Sequence, residues 1–172
     1  MLAVGARDMN LFAFDTDPWT SALWLDDVRK NKMVLEAAQM LSTAVRFNDP
    51  FTTLPVYKAA YISHPCTKWV RASRENFQWC LDWMEALGKQ KGGNHKSLSL
   101  LPHFRTYLEG GAFRQDKRTP FANCARNLER GVDFSKVEDT CLAYRLYMVE
   151  RWKETNITLS WRWGEKPEWR SE

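Results

Sequence analysis

Hydrophobic residues recur at three- and four-residue steps along much of this chain of 172 residues, the spacing of one face of an α-helix. The pattern predicts a first long helix from about Pro18 to Arg46, with Asp17 as its N-cap. A second helix is predicted from about Thr67 to Leu87, before a glycine-rich stretch. Its apolar residues occupy two faces, so we expect this helix to be central.

The remaining pattern predicts shorter elements. Residues 11–14 favour a short strand, and the capping box Ser135 with Glu138 predicts a third helix that begins at Ser135 and runs to about Glu154. Residues 88–134 are irregular, with a possible short helix over 102–109, and a loop region of this length is more often functional than idle. Three tryptophans in residues 161–169 predict that the tail folds back onto the body.

These elements predict a mainly α fold, a single-domain helical bundle with one or two short N-terminal β-strands. We expect residues 1–8 to form a loosely ordered leader and residues 9–172 to form the globular domain. No apolar run reaches the roughly 18 residues of a membrane span, and the N-terminus lacks the apolar region of a signal peptide. We therefore expect a cytoplasmic protein without a membrane partner.

Composition supports a folded chain, because 44% of the residues are hydrophobic and nine are tryptophan. The four cysteines form no C-x-x-C pair, and no histidine falls at zinc-finger spacing. We interpret them as reduced, mostly buried thiols, and we expect no metal and no cofactor.

The net charge of +4 is unevenly distributed. Residues 61–130 carry 12 basic and 6 acidic side chains, whereas the segments on either side each carry a net charge of −1. A basic block of this kind favours a phosphate-bearing partner through steering and counterion release. A solvated surface that happens to be basic is the alternative.

The first helix carries polar residues that packing does not require. Lys32 and Glu36 lie one turn apart on one face, and Asp27 precedes them by about one turn. One interpretation is a solvated face with a weak Lys–Glu pair. The other is a polar strip in which Lys32 binds an anion and Glu36 or Asp27 acts as a base.

The segment 63–79, at the start of the second helix, contains many polar and aromatic side chains that a helix needed only for packing would not require. His64 can titrate near neutral pH and donate to a phosphate, or it can cap the helix. Arg71 and Arg74 share a face and suit bidentate phosphate contacts, or they cover tryptophan at the surface. Trp69 and Trp79 could stack a base or belong to the core.

Further phosphate contacts are expected from the middle and end of the chain. The stretch Gly92–Lys96 could wrap a phosphate with backbone amides, although the spacing of a P-loop is absent. The additional candidates for phosphate binding are Asn76, His95, Lys96 and Arg145. The sequence contains no G-x-S-x-G, no H-E-x-x-H and no dinucleotide fingerprint, which argues against ordinary hydrolases, zinc proteases and dehydrogenases.

At these residues the chain resembles a family of small proteins encoded by tailed bacteriophages, over roughly residues 9–170. The shared pattern is D-x(4)-KM-x-LE-x-AQ-ML, then YKA, then HP-x(3)-WVR-x-SR-x-N-x(2)-W, and finally YR-x-Y and P-x-W. It includes Asp27, Lys32, Glu36, His64 and Arg74. The family has a histidine two residues after the aspartate, where this chain has Arg29, so a catalytic histidine there would be missing.

The resemblance implies a phage protein linked to enzymes that modify the bases of DNA. Our leading hypothesis is a phage enzyme that acts on nucleic acid, a transferase or glycosylase-like protein that modifies or removes a base. In it, Asp27, Lys32, Glu36 and His64 supply the catalytic groups, and tryptophans wall the cleft. One alternative is a phage protein that binds and inhibits a host enzyme. Another is an enzyme that acts on free nucleotides.

Overall fold

The computed structural model describes residues 9–171, so the predicted leader at 1–8 lies outside the described residues. Six α-helices occur in the described chain: α1 (Pro18–Leu23), α2 (Asp27–Asn48), α3 (Pro65–Ala72), α4 (Arg74–Gln90), α5 (Leu101–Gly110) and α6 (Thr140–Lys153). Two short strands, β1 (Arg126–Asn127) and β2 (Val132–Asp133), pair in antiparallel register. The prediction of a mainly α fold is confirmed.

Each of the two predicted long helices is divided by a capping residue. Asp17 caps α1 by accepting a hydrogen bond from the backbone N–H of Thr20 at 2.7 Å, as predicted. However, Asp26 then caps a new helix, α2. Ser73 separates α3 from α4 in the same way, accepting from the N–H of Asn76 at 3.1 Å. A short polar side chain that accepts a hydrogen bond from a free backbone amide favours the start of a helix, so each of these residues begins a new helix. The three- and four-residue spacing of apolar residues nevertheless continues across both breaks.

Two other predictions of local structure differ from the fold. Residues 11–14 form a buried segment without a strand partner, and the strands lie instead at 126–127 and 132–133. The capping box at Ser135 is wrong, because the Ser135 hydroxyl donates to Asp133 and helix α6 begins later, capped by Asp139. The predicted short helix near residue 102 is confirmed as α5.

Helix α2 occupies the centre and packs against α3, α4 and α5, while α1 lies on α4. The buried hydrophobic side chains of the described chain form one cluster that includes the N-terminal segment and α6. Helix α4 is buried on two faces, as its pattern predicted. Its N-terminal amides donate to the backbone carbonyls of Gln115 and Asp116, so the loop after α5 completes the start of α4.

The C-terminal tail folds back, as predicted. The Trp161 indole donates to the carbonyl of Trp24 at 2.9 Å, and the rings of Trp152 and Trp169 stack with centroids 5.3 Å apart. Asp27 at the start of α2 accepts from the Ser160 hydroxyl at 2.7 Å. Within residues 9–171, no helix combines the length and the apolar character needed to cross a membrane.

Candidate active site

Three reactive side chains from distant parts of the sequence meet in one place. One nitrogen of the His64 ring and the sulfurs of Cys66 and Cys124 lie within 4.8 Å of one another. His64 and Cys124 line a cavity of about 210 Å³. The cavity is lined by Met9, Asn10, Phe12, His64, Pro65, Cys124, Arg126 and Tyr147. Cys66 lies behind this lining, fully buried.

The start of α3 positions His64 and Cys66. His64 is the N-cap of this helix, and its Nδ1 accepts a hydrogen bond from the backbone N–H of Cys66 at 3.1 Å. A neutral imidazole that accepts at Nδ1 carries its proton on Nε2. His64 therefore presents a hydrogen-bond donor at its other nitrogen, and burial lowers its pKa, which favours this neutral form.

Two side chains from other elements position Cys124, which lies in the segment before β1. Its backbone N–H donates to the hydroxyl oxygen of Tyr144 at 3.1 Å, and its carbonyl accepts from Asn10 Nδ2 at 3.3 Å. The Tyr144 hydroxyl in turn donates to the carbonyl of Ala122 at 2.6 Å. Helix α6 thus holds the backbone on both sides of residue 123.

The two thiols have opposite electrostatic environments. A hydrogen bond from the Cys66 thiol, with help from the charge of Arg126, lowers the pKa of Cys124. The same hydrogen bond and complete burial raise the pKa of Cys66. When one thiol of the pair ionises, it is therefore Cys124, which is also the partly exposed one. A thiolate is the nucleophilic form of cysteine.

The arrangement offers three kinds of chemistry. Cys124 can act as a nucleophile, His64 Nε2–H can donate to a developing negative charge, and the exposed guanidinium of Arg126 can bind an anion at the edge of the cavity. The three donors His64, Cys66 and Cys124 are also of the types that bind zinc. Binding through His64 Nδ1 would require the loss of its hydrogen bond to Cys66.

Of the four predicted catalytic residues, the structure brings His64 to this cavity and leaves Lys32 at a neighbouring one. That second cavity, of about 190 Å³, is lined by Phe12, Val28, Arg29, Lys32, Met33, Arg151 and Ile157. Phe12 is the residue common to both linings. Lys32 pairs with Glu36 at 3.6 Å, and its side chain is half exposed whereas that of Glu36 is buried.

Asp27 has a structural role in the fold. One of its carboxylate oxygens accepts from the Ser160 hydroxyl and from the backbone N–H of Arg162, at 2.7 and 2.8 Å. These bonds attach the tail to α2. Arg29 forms an ion pair with buried Asp26 at 2.8 Å.

The arginines predicted to bind phosphate have partners within the protein. Arg74 donates to the carbonyls of Leu108 and Gly111 and pairs with Asp116 at 3.1 Å, so it attaches the loop after α5. Arg71 donates to the carbonyl of Ile62. Arg145 donates to the carbonyl of Phe14 at 2.8 Å.

The other predicted phosphate ligands do not converge on the His64 cavity. Asn76 is fully buried, donates to the Trp69 carbonyl and exchanges two hydrogen bonds with Thr119. His95 caps the 3₁₀ turn Lys96–Leu100 by accepting from Ser97 N–H at 3.1 Å. Lys96 is exposed.

Trp69 and Trp79 lie in the core, 5% and 2% exposed, with their rings against each other and against Phe121. Trp79 also reaches a third cavity, of about 260 Å³. That cavity is lined by Pro18, Glu75, Gln78, Trp79, Asp82 and Arg118. Two carboxylates against one arginine make it a poor site for a phosphate.

Sequence reasoning did not single out three residues that lie with His64 in the fold: Cys66, Cys124 and Arg126. Cys66 follows His64 by two residues, and the H-P-C sequence at a helix start was a usable signal. Cys124 is 58 residues further along, so only the fold shows that it belongs with them. The interpretation of the cysteines as unpaired thiols agrees with the structure, where all four are free, although two are only partly buried.

A buried lysine was also missed. The Lys30 ammonium is enclosed at the end of α4, where it donates to the carbonyl of Ala22 at 2.7 Å and to Gln90 Oε1 at 2.6 Å. Burial lowers its pKa to about 8, although Asp27 and Asp26 act in the opposite direction.

No protein-family model, no characterised protein and no solved structure matches this chain.

Proposed function

We propose that this chain is an enzyme that acts on a base of nucleic acid, with the His64 cavity as its active site and Cys124 as its nucleophile. The observation that carries the proposal is the convergence of Cys124, His64 and Arg126 around one cavity. Three such side chains are not needed for packing, and perturbed titratable groups in a cavity are typical of functional sites.

The cavity suits a base better than a larger ligand. Its volume of about 210 Å³ is below the range of roughly 300–1,000 Å³ of sites for drug-sized molecules. The apolar walls, which include Phe12 and Tyr147, favour a flat ring. The thiolate of Cys124, which lines the cavity, can add to an electrophilic ring carbon, and His64 Nε2–H can stabilise the negative charge that addition creates.

Charge and resemblance favour nucleic acid over other anionic substrates. Arg126 lies at the cavity, and its segment belongs to the middle of the chain, where the net charge is +6. A base that enters a cavity must leave its stack, and backbone phosphates then lie at the rim, within reach of an arginine. The resemblance to tailed-phage proteins supports DNA in the cytoplasm of an infected host, where thiols stay reduced.

The experiment that tests this proposal uses the full chain under reducing conditions with single-stranded DNA, duplex DNA and free nucleotides. Nucleoside mass spectrometry detects any altered or released base, and a gel shift at several salt concentrations measures binding. We expect Cys124→Ser to abolish the base change and Arg126→Ala to weaken binding. Cys141→Ser is the control for the cysteine change, and Lys166→Ala is the control for the loss of one exposed positive charge, since both residues lie outside the cavity. Binding of mononucleotides without DNA binding would favour an enzyme of free nucleotides.

An exposed apolar surface favours a second candidate, a protein that binds a host enzyme. Phe51 is 91% exposed and Phe47 51%. The guanidinium of Arg71 lies 3.8 Å from the ring centre of Phe47 and also bonds to the carbonyl of Ile62, so Phe47, Arg71 and Ile62 lie together at the surface, and Phe51 is exposed four residues after Phe47. Capture of one stoichiometric host protein, lost in Phe51→Ser and retained in Cys124→Ser, would support this candidate.

A further inference from the structure

We propose that Cys66 and Cys124 form a redox-active thiol pair that exchanges reversibly with low-molecular-weight disulfides. This activity goes beyond the proposed function and does not depend on it, since it requires only the two sulfurs. It would also control the active site, because an oxidised Cys124 cannot act as a nucleophile.

The geometry carries the first step of the argument. The two sulfurs lie within 4.8 Å of each other, so one has to approach the other by at most about 3 Å to reach the S–S bond length of about 2 Å. Cys124 lies outside the helices, in the segment before β1, whereas Cys66 lies in the first turn of α3. The movement therefore falls on the Cys124 segment, and it requires the hydrogen bonds of that segment to Tyr144 and Asn10 to stretch or break.

The difference in exposure sets the order of events. Cys124 borders the cavity and is partly exposed, whereas Cys66 is 0% exposed behind it. A disulfide that enters the cavity therefore meets Cys124 first. Cys66 is placed to attack only the sulfur of Cys124, which is the arrangement of a reactive thiol with a resolving thiol.

The reaction balances as two exchange steps. The Cys124 thiolate attacks one sulfur of the disulfide R–S–S–R, forms a mixed disulfide and releases one R–S⁻, which takes up a proton. The Cys66 thiol then loses its proton to solvent and its sulfur attacks the Cys124 sulfur, which forms the Cys66–Cys124 bond and releases the second R–S⁻. Two protein thiols are oxidised, and one small disulfide is reduced to two thiols.

The first exchange step also makes the Cys66 thiol easier to ionise for the second step. The leading cause of the raised pKa of Cys66 is its hydrogen bond to Cys124. Once Cys124 is part of a mixed disulfide it carries no negative charge, and the hydrogen bond that held the Cys66 proton is lost. The buried thiol thus becomes easier to ionise at the point where the reaction needs its thiolate.

The position of His64 favours thiol exchange over a metal site at these residues. His64 Nδ1 already accepts from the Cys66 amide, and Nε2 then carries the proton, so neither nitrogen offers a free lone pair to a cation. The thiol pair requires no change at His64. In that pair Nε2–H can stabilise the Cys124 thiolate as a hydrogen-bond donor.

The test uses the full reduced chain with oxidised glutathione and no nucleic acid, so its failure is separate from a failure of the proposed function. We expect two of the four alkylatable thiols to disappear, intact mass to fall by two hydrogens, and peptide mapping to find Cys66 linked to Cys124. Dithiothreitol should restore both thiols. Cys66→Ser should instead retain one glutathione on Cys124, and Cys124→Ser should retain none.

Two other cysteine variants are the matched controls: Cys80→Ser and Cys141→Ser should still form the bond between Cys66 and Cys124. If Cys66→Ser does not fold, Cys66→Ala replaces it, and its melting temperature shows whether it is folded. A stable glutathione adduct on the unsubstituted chain, reaction at Cys141 in place of Cys124, or no reaction would overturn the proposal. Stoichiometric Zn²⁺ binding that blocks oxidation and is lost in His64→Ala would also overturn it, in favour of a metal site.

Discussion

The hydroxyl of Tyr144 accepts a hydrogen bond from the backbone N–H of Cys124, 3.1 Å away, and donates one to the carbonyl of Ala122. One buried phenol on α6 therefore fixes the loop that carries the proposed nucleophile. Burial raises the pKa of Tyr144 well above its usual value, so the phenol remains protonated and can make both bonds at once.

We expect Tyr144→Phe to lower the free energy of unfolding by about 2 kcal/mol, because two backbone groups lose their partner. It should also change the rate at which Cys124 is alkylated, since the loop is no longer fixed. Chemical denaturation and timed alkylation measure the two effects. Tyr107→Phe is the matched control: it loses one bond, to the carbonyl of Ala112 at 2.7 Å, and should leave Cys124 alkylation unchanged. An unchanged rate in both variants would contradict the role of Tyr144.

Arg74→Ala tests whether this arginine supports the fold or binds a ligand. Because Arg74 attaches the carbonyls of Leu108 and Gly111, we expect a loss of about 2 kcal/mol in unfolding free energy. Arg105→Ala should cost less than about 1 kcal/mol, since Arg105 makes an exposed ion pair with Glu85. Lost nucleic-acid binding at unchanged stability in Arg74→Ala would restore the hypothesis that Arg74 holds phosphate.

Asp27→Ala tests the attachment of the tail. We expect a fall of about 2 kcal/mol in unfolding free energy and faster proteolysis after residue 153, because Ser160 and the Arg162 amide lose their acceptor. Glu165→Ala, an exposed carboxylate in the same tail, should change neither measurement. A stable but inactive Asp27→Ala protein would instead indicate catalysis.

Lys30 gives the stability a defined dependence on pH. Its pKa is about 8 in the folded protein and 10.5 in the unfolded chain, because burial disfavours the charged form. Between these values the unfolded chain binds more protons, so the Lys30 contribution to stability rises with pH from 8 to 10.5. Below pH 8 the cost of the buried charge is fully present.

The comparison of the unsubstituted chain with Lys30→Met isolates this contribution, since the other titrating groups are common to both. We expect the unsubstituted chain to gain stability relative to the variant by at most about 1.4 kcal/mol per pH unit over that interval. Three other charged groups act on the same ammonium: Asp27 and Asp26 raise its pKa, and Lys91 lowers it. Urea denaturation at a series of pH values measures the difference. A constant difference between pH 8 and 10.5 would show that Lys30 is not perturbed.

The sequence predicted the parts of the fold that depend on local chemistry. Asp17 caps α1 and the tail tryptophans pack, because a cap requires only neighbouring residues and large apolar rings are excluded from water. Asp26 and Ser73 are also residue types that favour the N-cap position. The apolar spacing continues across both of them and therefore predicts uninterrupted helices, because a helix can be interrupted while its apolar residues still face the same core.

The site was harder to predict because its members are brought together by tertiary packing. The sequence shows the chemistry of His64, but Cys66 and Cys124 lie close to each other only in the fold, where Tyr144 and Asn10 hold the distant loop. Arg74 and Asn76 stand out in the sequence as polar residues that packing does not require. In the structure their side chains form hydrogen bonds with backbone groups of a long loop. Sequence alone does not distinguish an arginine that binds carbonyl groups of its own chain from one that binds phosphate.

Phe12 belongs to the walls of two cavities. Its side chain, 6% exposed, lines both the cavity of His64 and that of Lys32, on a backbone with the unusual φ of 41°. A smaller side chain at this position would enlarge both cavities at once. His64 and Lys32, both proposed from the sequence as catalytic groups, therefore lie at two different cavities, and a single substitution at Phe12 would change the shape of the space beside each of them.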